Sequence, residues 1–299
     1  MTYSVAALDA AAGQIGIAVQ SHWLAVGAIV PWAAAGIGVV ATQADADLAA
    51  GRRGLELLTA SHSAAATLEG LVRHDPRAAV SQLAVLDVTG TAAVHTGQRC
   101  IAEAGHRAGH GWSVQANMML SATVPDAMAR AWADGAGMPL AERMLSVLRA
   151  AEAEGGDVRG QQSAAMLIVR LEPTGAPPDT IVDVRVDDSP QPIAELERLC
   201  QLAEAYQEHE LGLRALAADP GQALAHWTRA VELAPENEEL GFWRAVALVS
   251  TGRRADARAI LQRLFPANSG WCTLLARLPA AGLLPDDAGL LAELIGQGT

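Results

Sequence analysis

The chain has 299 residues, 51% of them hydrophobic, and a formal net charge of −12. That length accommodates two domains, or one large domain with an appendix, and enough apolar side chains to bury a sizeable core. The acidic balance and scattered arginines argue against a nucleic-acid backbone as partner, because phosphate contacts need clustered cations.

Cys100, Cys200 and Cys272 lie far apart, with neither a disulfide framework nor CxxC metal spacing, which fits a reducing compartment. The apolar run from Ala25 to Thr42 is broken by Gly27, Pro31, Gly36 and Gly38, which is too interrupted for a membrane helix. No basic and apolar leader precedes the first strand-like run, so the expectation is a soluble, cytoplasmic protein without membrane association.

In chain order, Tyr3–Leu8 and Ile15–Gln20 read as strands joined in a hairpin by the segment Asp9 to Gln14. Val26–Val30 and Gly36–Ala41 read as two more, around a turn at Pro31 and Trp32. Helices are expected over Leu48–Thr59 and Ser63–His74, the second capped by Ser63 and stopped by Pro76. Gln82–Asp87 and Thr91–His95 form a hairpin through Val88, Thr89 and Gly90. A segment rich in glycine and histidine, from Gly97 to Gly111, precedes a strand at Trp112–Asn117. Two further helices, Pro125–Ala133 and Pro139–Glu154, lead to strands at Ala164–Arg170 and Thr180–Val186. This α+β order suits a four-layer αββα sandwich rather than a Rossmann fold, because hairpins instead of helical crossovers link most strands.

Beyond Pro192 the pattern is helical only. Ala223, Trp227 and Ala230 are matched 34 residues later by Ala257, Leu261 and Leu264. The spacing resembles the tetratricopeptide (TPR) repeat, in which helix pairs pack small residues against large ones. The expected domains are therefore 1–191 and 192–299, with residues 193–207 and 274–295 completing the two central repeats.

Thr2 follows the initiator methionine at the head of the first strand. With Met1 removed, it carries a hydroxyl and a free α-amine on one residue. The amine, titrating at about 7.7–8.0, can take the hydroxyl proton while the oxygen attacks an amide carbonyl. The sequence contains no lysine, so the N-terminus is its only aliphatic amine.

Ordered stretches carry a family resemblance over residues 1–198. They are Met1 to Ser4, Ser21 to Gly27, Val30 to Trp32, Ala41 to Ala44, His95 to Gly97 with Cys100, Ala104 to His106, Ser113 to Asn117, Gly156 to Gly160 with Gln162 to Ala164, and Val184 to Asp188. The chain resembles an uncharacterised Ntn-hydrolase-like family, a domain of unknown function. The resemblance implies the αββα fold, with the N-terminal side chain as nucleophile on a central strand, and no settled substrate. His22 stands where similar sequences more often carry arginine, and Ala116 where glycine is usual. The chain also departs from proteasome-type threonine hydrolases, which set a lysine beside the nucleophile.

In that frame Thr2 is the expected nucleophile and Asn117 the oxyanion donor, the alternative for Asn117 being a cap on the next turn. Ser21, His22, Gln43, Arg53, His95, His106 and Gln115 are the expected substrate-side residues. His22, His95, His106 and Arg53 are also candidates to depress the amine's pKa. His95 serves either the binding site or a satisfied polar turn. Asp157 and Arg159 form an ion pair or hold a substrate carboxylate, and Cys100 reads as a buried small residue. His106 and His110 do not suggest a metal, because the glycines around them disfavour a helix that would align both rings. No cofactor is expected. The expected partners are a small amide, a second copy of the chain, and a protein bound through the TPR-like tail. The rival reading is a non-catalytic scaffold or small-ligand binding domain.

Overall fold

The structure, a computed structural model, describes residues 2–73, 75–175 and 179–296. It divides into two compact units, residues 1–200 and 201–299.

In the first unit, β1 (Thr2–Asp9) and β2 (Gln14–Ser21) form the expected hairpin, with Tyr3 opposite Gln20 and Asp9 opposite Gln14. The other strands are β3 (Pro31–Ala34), β4 (Gly38–Ala44), β5 (Ser81–Asp87), β6 (Ala92–Thr96), β7 (Gly105–Gly109), β8 (Trp112–Asn117), β9 (Ser163–Arg170) and β10 (Thr180–Val186). They make two antiparallel sheets, ordered β10-β9-β2-β1-β8-β7 and β3-β4-β5-β6. The helices are α1 (Ala50–Thr59), α2 (Ala64–Arg73), α3 (Val124–Asp134) and α4 (Leu140–Ala153).

Alternation along β1 assigns the layers. Tyr3, Val5 and Ala7 join Met128, Met144 and Leu148 of α3 and α4 in one core. Ala6, with Ile15 and Ile17 of β2, meets Val39, Ala41, Ala84 and Leu86 of the second sheet. Val40, Leu83 and Val85 on that sheet's far side pack under α1 and α2, against Leu58, Ala64 and Leu71. The packing order is helix pair, sheet, sheet, helix pair. Burying each large aliphatic side chain contributes about 1.5–3 kcal/mol, so these three cores hold the unit together.

Most expected elements are present, but two local readings are corrected. The run at 26–30 is not a strand: Val26–Ala28 is a short 3-10 helix entered through Ala25 at φ 52°. Its backbone bonds close locally, from Ala28 to Ala25 and from Ile29 to Val26, and the Val26 N–H goes to Ser163 Oγ. Pro31 and Trp32 are not a turn but open β3, whose leading proline is tolerated at the edge of the four-stranded sheet. Within the glycine- and histidine-rich segment, Gly105–Gly109 forms β7 against β8.

Ser63 does cap α2, its Oγ accepting from the Ala66 N–H at 3.3 Å. The expected end of that helix at His74 lies outside the described residues. Ala116 accommodates its Cβ inside the core of β1, α3 and α4.

Helix α5 (Pro192–Ala215) gives Ile193, Leu196 and Cys200 to the first unit's core, and its residues from Gln201 belong to the second unit. The second unit continues with α6 (Pro220–Leu233), α7 (Glu238–Ser250), α8 (Arg254–Ala267), α9 (Gly270–Arg277) and α10 (Ala288–Ile295). Asp219, Asn237 and Asp287 accept bonds from the first turns of α6, α7 and α10, satisfying N–H groups that a helix start leaves free. Ala223, Trp227, Ala230, Ala257 and Leu261 of the sequence repeat are fully buried. Trp227 fills the space that the absent side chain of Gly212 leaves, and its indole N–H donates to His209 Nδ1 at 2.9 Å. Among the described residues, no helix is long and apolar enough to cross a membrane.

Candidate functional site

Thr2 opens β1 in the middle of the six-stranded sheet, flanked by β2 and β8. Strand alternation turns its side chain toward the four-stranded sheet, as it does Ser4 and Ala6. The side chain is 4% exposed, and its hydroxyl donates to Ser21 Oγ at 3.2 Å. The Thr2 carbonyl accepts from Gln43 Nε2 at 3.4 Å and from Asn117 Nδ2 at 3.3 Å. Asn117 is its register partner on β8.

Behind Thr2 lies a buried amide network that crosses between the sheets. Gln82 Oε1 accepts from Gln43 Nε2 at 2.6 Å and from Asn117 Nδ2 at 2.9 Å. Gln82 Nε2 reaches Thr96 Oγ1 at 2.9 Å and the carbonyls of Ala116 and Gly105 at 3.0 and 3.2 Å. Ser4 Oγ donates to Gln43 Oε1 at 2.7 Å and accepts from Gln115 Nε2 at 2.6 Å. Ser4, Gln82 and Gln115 are fully buried. Such a network is tolerable only because its members satisfy one another, and it fixes the Thr2 end of β1 against both sheets.

A cavity of about 300 Å³ opens beside Asn117, lined by Ala44, Asp45, Val80, Arg99, Ile101, Asn117 and Met118. Two of these residues are left-handed without being glycine, Ala44 at φ 61° and Met118 at φ 58°. Each costs about 1–2 kcal/mol, and backbone strain of this kind concentrates at functional sites. They follow the last inward residues of β4 and β8 and turn both chains away at the cavity wall. The loop carrying Arg99 is pinned: Gly97 N–H donates to Ser81 O at 2.9 Å and Arg99 N–H to Ala79 O at 2.7 Å. A Cβ at Gly97 would stand 2.4 Å from the Ala78 and Ala79 backbone, so glycine is required there.

The expected site residues divide into groups. Ser21, Gln43, Gln115 and Asn117 gather around Thr2, with Gln115 two register pairs deeper, opposite Ser4. His106 joins them at the edge, its Nδ1 2.8 Å from Thr96 Oγ1, which links the ring to Thr2 through Gln82 and Asn117. The His22 backbone N–H donates to Asp157 Oδ2 at 3.2 Å. Asp157 is buried and ion-paired with Arg159 at 3.0 Å. Arg53 pairs with Asp47 at 2.7 Å and lines a groove between α1 and α2. His95 sits opposite Leu83 on the face under α2 and bonds Ala78 O at 2.7 Å.

Sequence reasoning missed Gln82 and the cavity residues Asp45, Val80, Arg99, Ile101 and Met118. Gln82 had one readable signal, a glutamine heading an otherwise apolar strand.

Burial, reinforced by Arg107 and His95, lowers the His106 pKa from its ordinary value. Burial likewise raises the Cys100 thiol, whose Sγ donates to Ser81 O at 3.4 Å, so it is held as the unreactive thiol. The Cys200 thiol is pushed up to about 12, again chiefly by burial. Among the described residues, no group of three or more His, Cys, Asp and Glu could hold a metal ion.

The His106 shift carries a stability prediction. A histidine held neutral stabilises the fold above its unfolded pKa, near 6.5. That contribution is lost as pH falls from there toward the lowered folded pKa, because the unfolded chain takes the proton first. Unfolding midpoints measured from about pH 7.5 to about pH 5 are expected to fall, and less so in His106→Gln. Equal pH dependence in the two proteins contradicts this role.

The model of a family of unknown function, DUF1028, matches residues 2–196. The chain belongs to the DUF1028 family. A tetratricopeptide repeat model matches residues 215–281. The solved crystal structure of a DUF1028 protein from Silicibacter pomeroyi is 31% identical to this chain. The match covers 68% of this chain and 85% of that one, with a TM-score of 0.61. No curated protein matches. The DUF1028 region thus contains all of the Thr2 network and the cavity beside it, and the tetratricopeptide region lies in the helical unit.

Proposed function

We propose that this DUF1028 protein is an N-terminal-nucleophile amidohydrolase with a four-layer αββα Ntn-type fold, acting on a small amide or peptide-like amide. The observation that carries the reading is the placement of Thr2: first residue of a central strand, its hydroxyl between the sheets, beside a cavity lined by its strand partner Asn117. The packing order of helices and sheets supports the fold assignment.

With Met1 removed, the Thr2 α-amine takes the hydroxyl proton and Oγ1 attacks the amide carbon. The tetrahedral intermediate collapses by breaking the C–N bond, and the amine base returns the proton to the leaving nitrogen. Water, deprotonated by the same amine, then cleaves the Thr2 ester and releases the acid. Ser21 Oγ, 3.2 Å from Thr2 Oγ1, orients the nucleophile. Asn117 Nδ2 serves the oxyanion by exchanging its 3.3 Å bond to the Thr2 carbonyl for the substrate oxygen, while Gln82 keeps the amide plane fixed. Donors of this kind contribute about 2.7–4 kcal/mol in the transition state. The helical unit supplies contacts to a second copy or a protein partner.

A second reading, a small-ligand binding domain without turnover, draws on one observation: both Asn117 Nδ2 bonds are already made within the fold. Covalent labelling by a hydroxyl-reactive electrophile separates the two. The hydrolase reading expects labelling that is lost in Thr2→Ala and kept in Cys100→Ala. Labelling indifferent to Thr2→Ala defeats it.

A further inference from the structure

We infer that Arg99 sets the specificity of this site, and that the substrate is an amide with an apolar acyl group and a carboxylate on its amine portion. The inference rests on the hydrolase reading for the scissile amide, and on separate observations for the carboxylate.

The cavity beside Asn117 has two charged residues in its wall, Asp45 and Arg99. Asp45 already lies 3.8 Å from the Arg77 guanidinium. Arg99 makes no ion pair among the described residues, although the chain carries twelve more acidic than basic side chains. A guanidinium in the cavity wall without a carboxylate partner can hold a ligand carboxylate through two parallel N–H bonds.

The loop geometry supports the same role. Arg99 sits between Gly97 and Cys100, both fastened to Ser81, and its own N–H is bonded to Ala79 O. Gly97 packs so closely on residues 78 and 79 that the loop cannot shift without breaking these contacts. The guanidinium is therefore carried on a preorganised base, which reduces the ordering that binding requires. The rest of the wall is apolar: Ala44, Val80, Ile101 and Met118. Ile101 is 61% exposed and offers its side chain to an incoming chain. An N-acyl amino acid meets each of these surfaces, with acyl chain on the apolar wall, carboxylate on Arg99 and amide next to Asn117.

The test measures binding apart from turnover. Full-length protein carrying Thr2→Ala is titrated calorimetrically with N-hexanoylglycine and with its neutral counterpart, N-hexanoylglycinamide. The acid is expected to bind roughly 10–100-fold more tightly, as for a charge-assisted hydrogen-bonded pair. Arg99→Gln is expected to abolish that preference and Arg99→Lys to keep part of it, with both variants showing the parent's near-ultraviolet circular dichroism. Equal affinity for the two compounds, no binding of either at millimolar concentration, or a preference untouched by Arg99→Gln overturns the inference. If the acid is preferred but the Thr2 protein hydrolyses neither compound, the hydrolase reading fails alone. If the amide is hydrolysed without any preference for the acid, the specificity inference fails alone.

Discussion

Replacing Thr2 with alanine is expected to reduce amide hydrolysis by roughly four to six orders of magnitude, the scale on which removing a catalytic nucleophile acts. The hydroxyl is the only part of the proposed machinery that forms a bond to substrate. Thr2→Ser is expected to retain measurable turnover, since it keeps both hydroxyl and amine. The fold should tolerate either change, as the Thr2 carbonyl bonds to Gln43 and Asn117 are made by the backbone. Steady-state hydrolysis of an N-acyl amino acid provides the readout. Activity in Thr2→Ala within ten-fold of the parent would remove Thr2 from the mechanism.

Gln82→Leu is expected to destabilise the first unit by about 3–5 kcal/mol, among the larger effects of any single substitution. Leucine nearly preserves the volume, so the loss comes from polar groups left without partners. Asn117 and Gln43 lose a shared acceptor, and Thr96 Oγ1 and the Ala116 carbonyl lose a donor, in a region closed to water. Hydrogen exchange of amides in β1, β5 and β8 reports this unit separately from the helical one. Protection lowered by less than about 1 kcal/mol would mean that the network contributes little to stability.

These effects differ in how legible they were in the sequence. The β1–β2 hairpin was readable because Val5, Ala7, Ile15 and Ile17 lie in short β-prone runs on either side of a small, polar connection ending in Gly13 and Gln14. The helical repeat was readable because Ala223, Trp227 and Ala230 keep a spacing that places small and large residues on one face. Strand β7 was not, because Gly-His-Arg-Ala-Gly carries no large apolar side chain. As the edge of its sheet it pairs only with β8 and gains little burial of its own. The run at 26–30 misled because Val, Ala and Ile suit either a strand or a buried coil. What decided it was the left-handed Ala25 and a bond to Ser163, which is distant in sequence.

The site was legible in part for the same physical reason. Thr2, Gln43, Gln115 and Asn117 lie in strands, where register brings them together. His95 was placed among the substrate-side residues, yet one step along β6 decides its face. Thr96 looks inward to Gln82, while His95 looks outward to the layer under α2. Arg53, expected among the substrate-side residues and as a cation beside the amine, lies on α1 and pairs with Asp47. The cavity residues come from the ends of β4 and β8 and from the loops before β5 and after β6, so no local pattern could join them.

Catalysis by this mechanism requires a free amine on Thr2, which the intact mass of the purified protein tests. The expected mass is that of the chain lacking Met1, with threonine as its first residue. A mass that includes Met1 would leave the Thr2 nitrogen in a peptide bond, unable to accept the hydroxyl proton, and would contradict the mechanism.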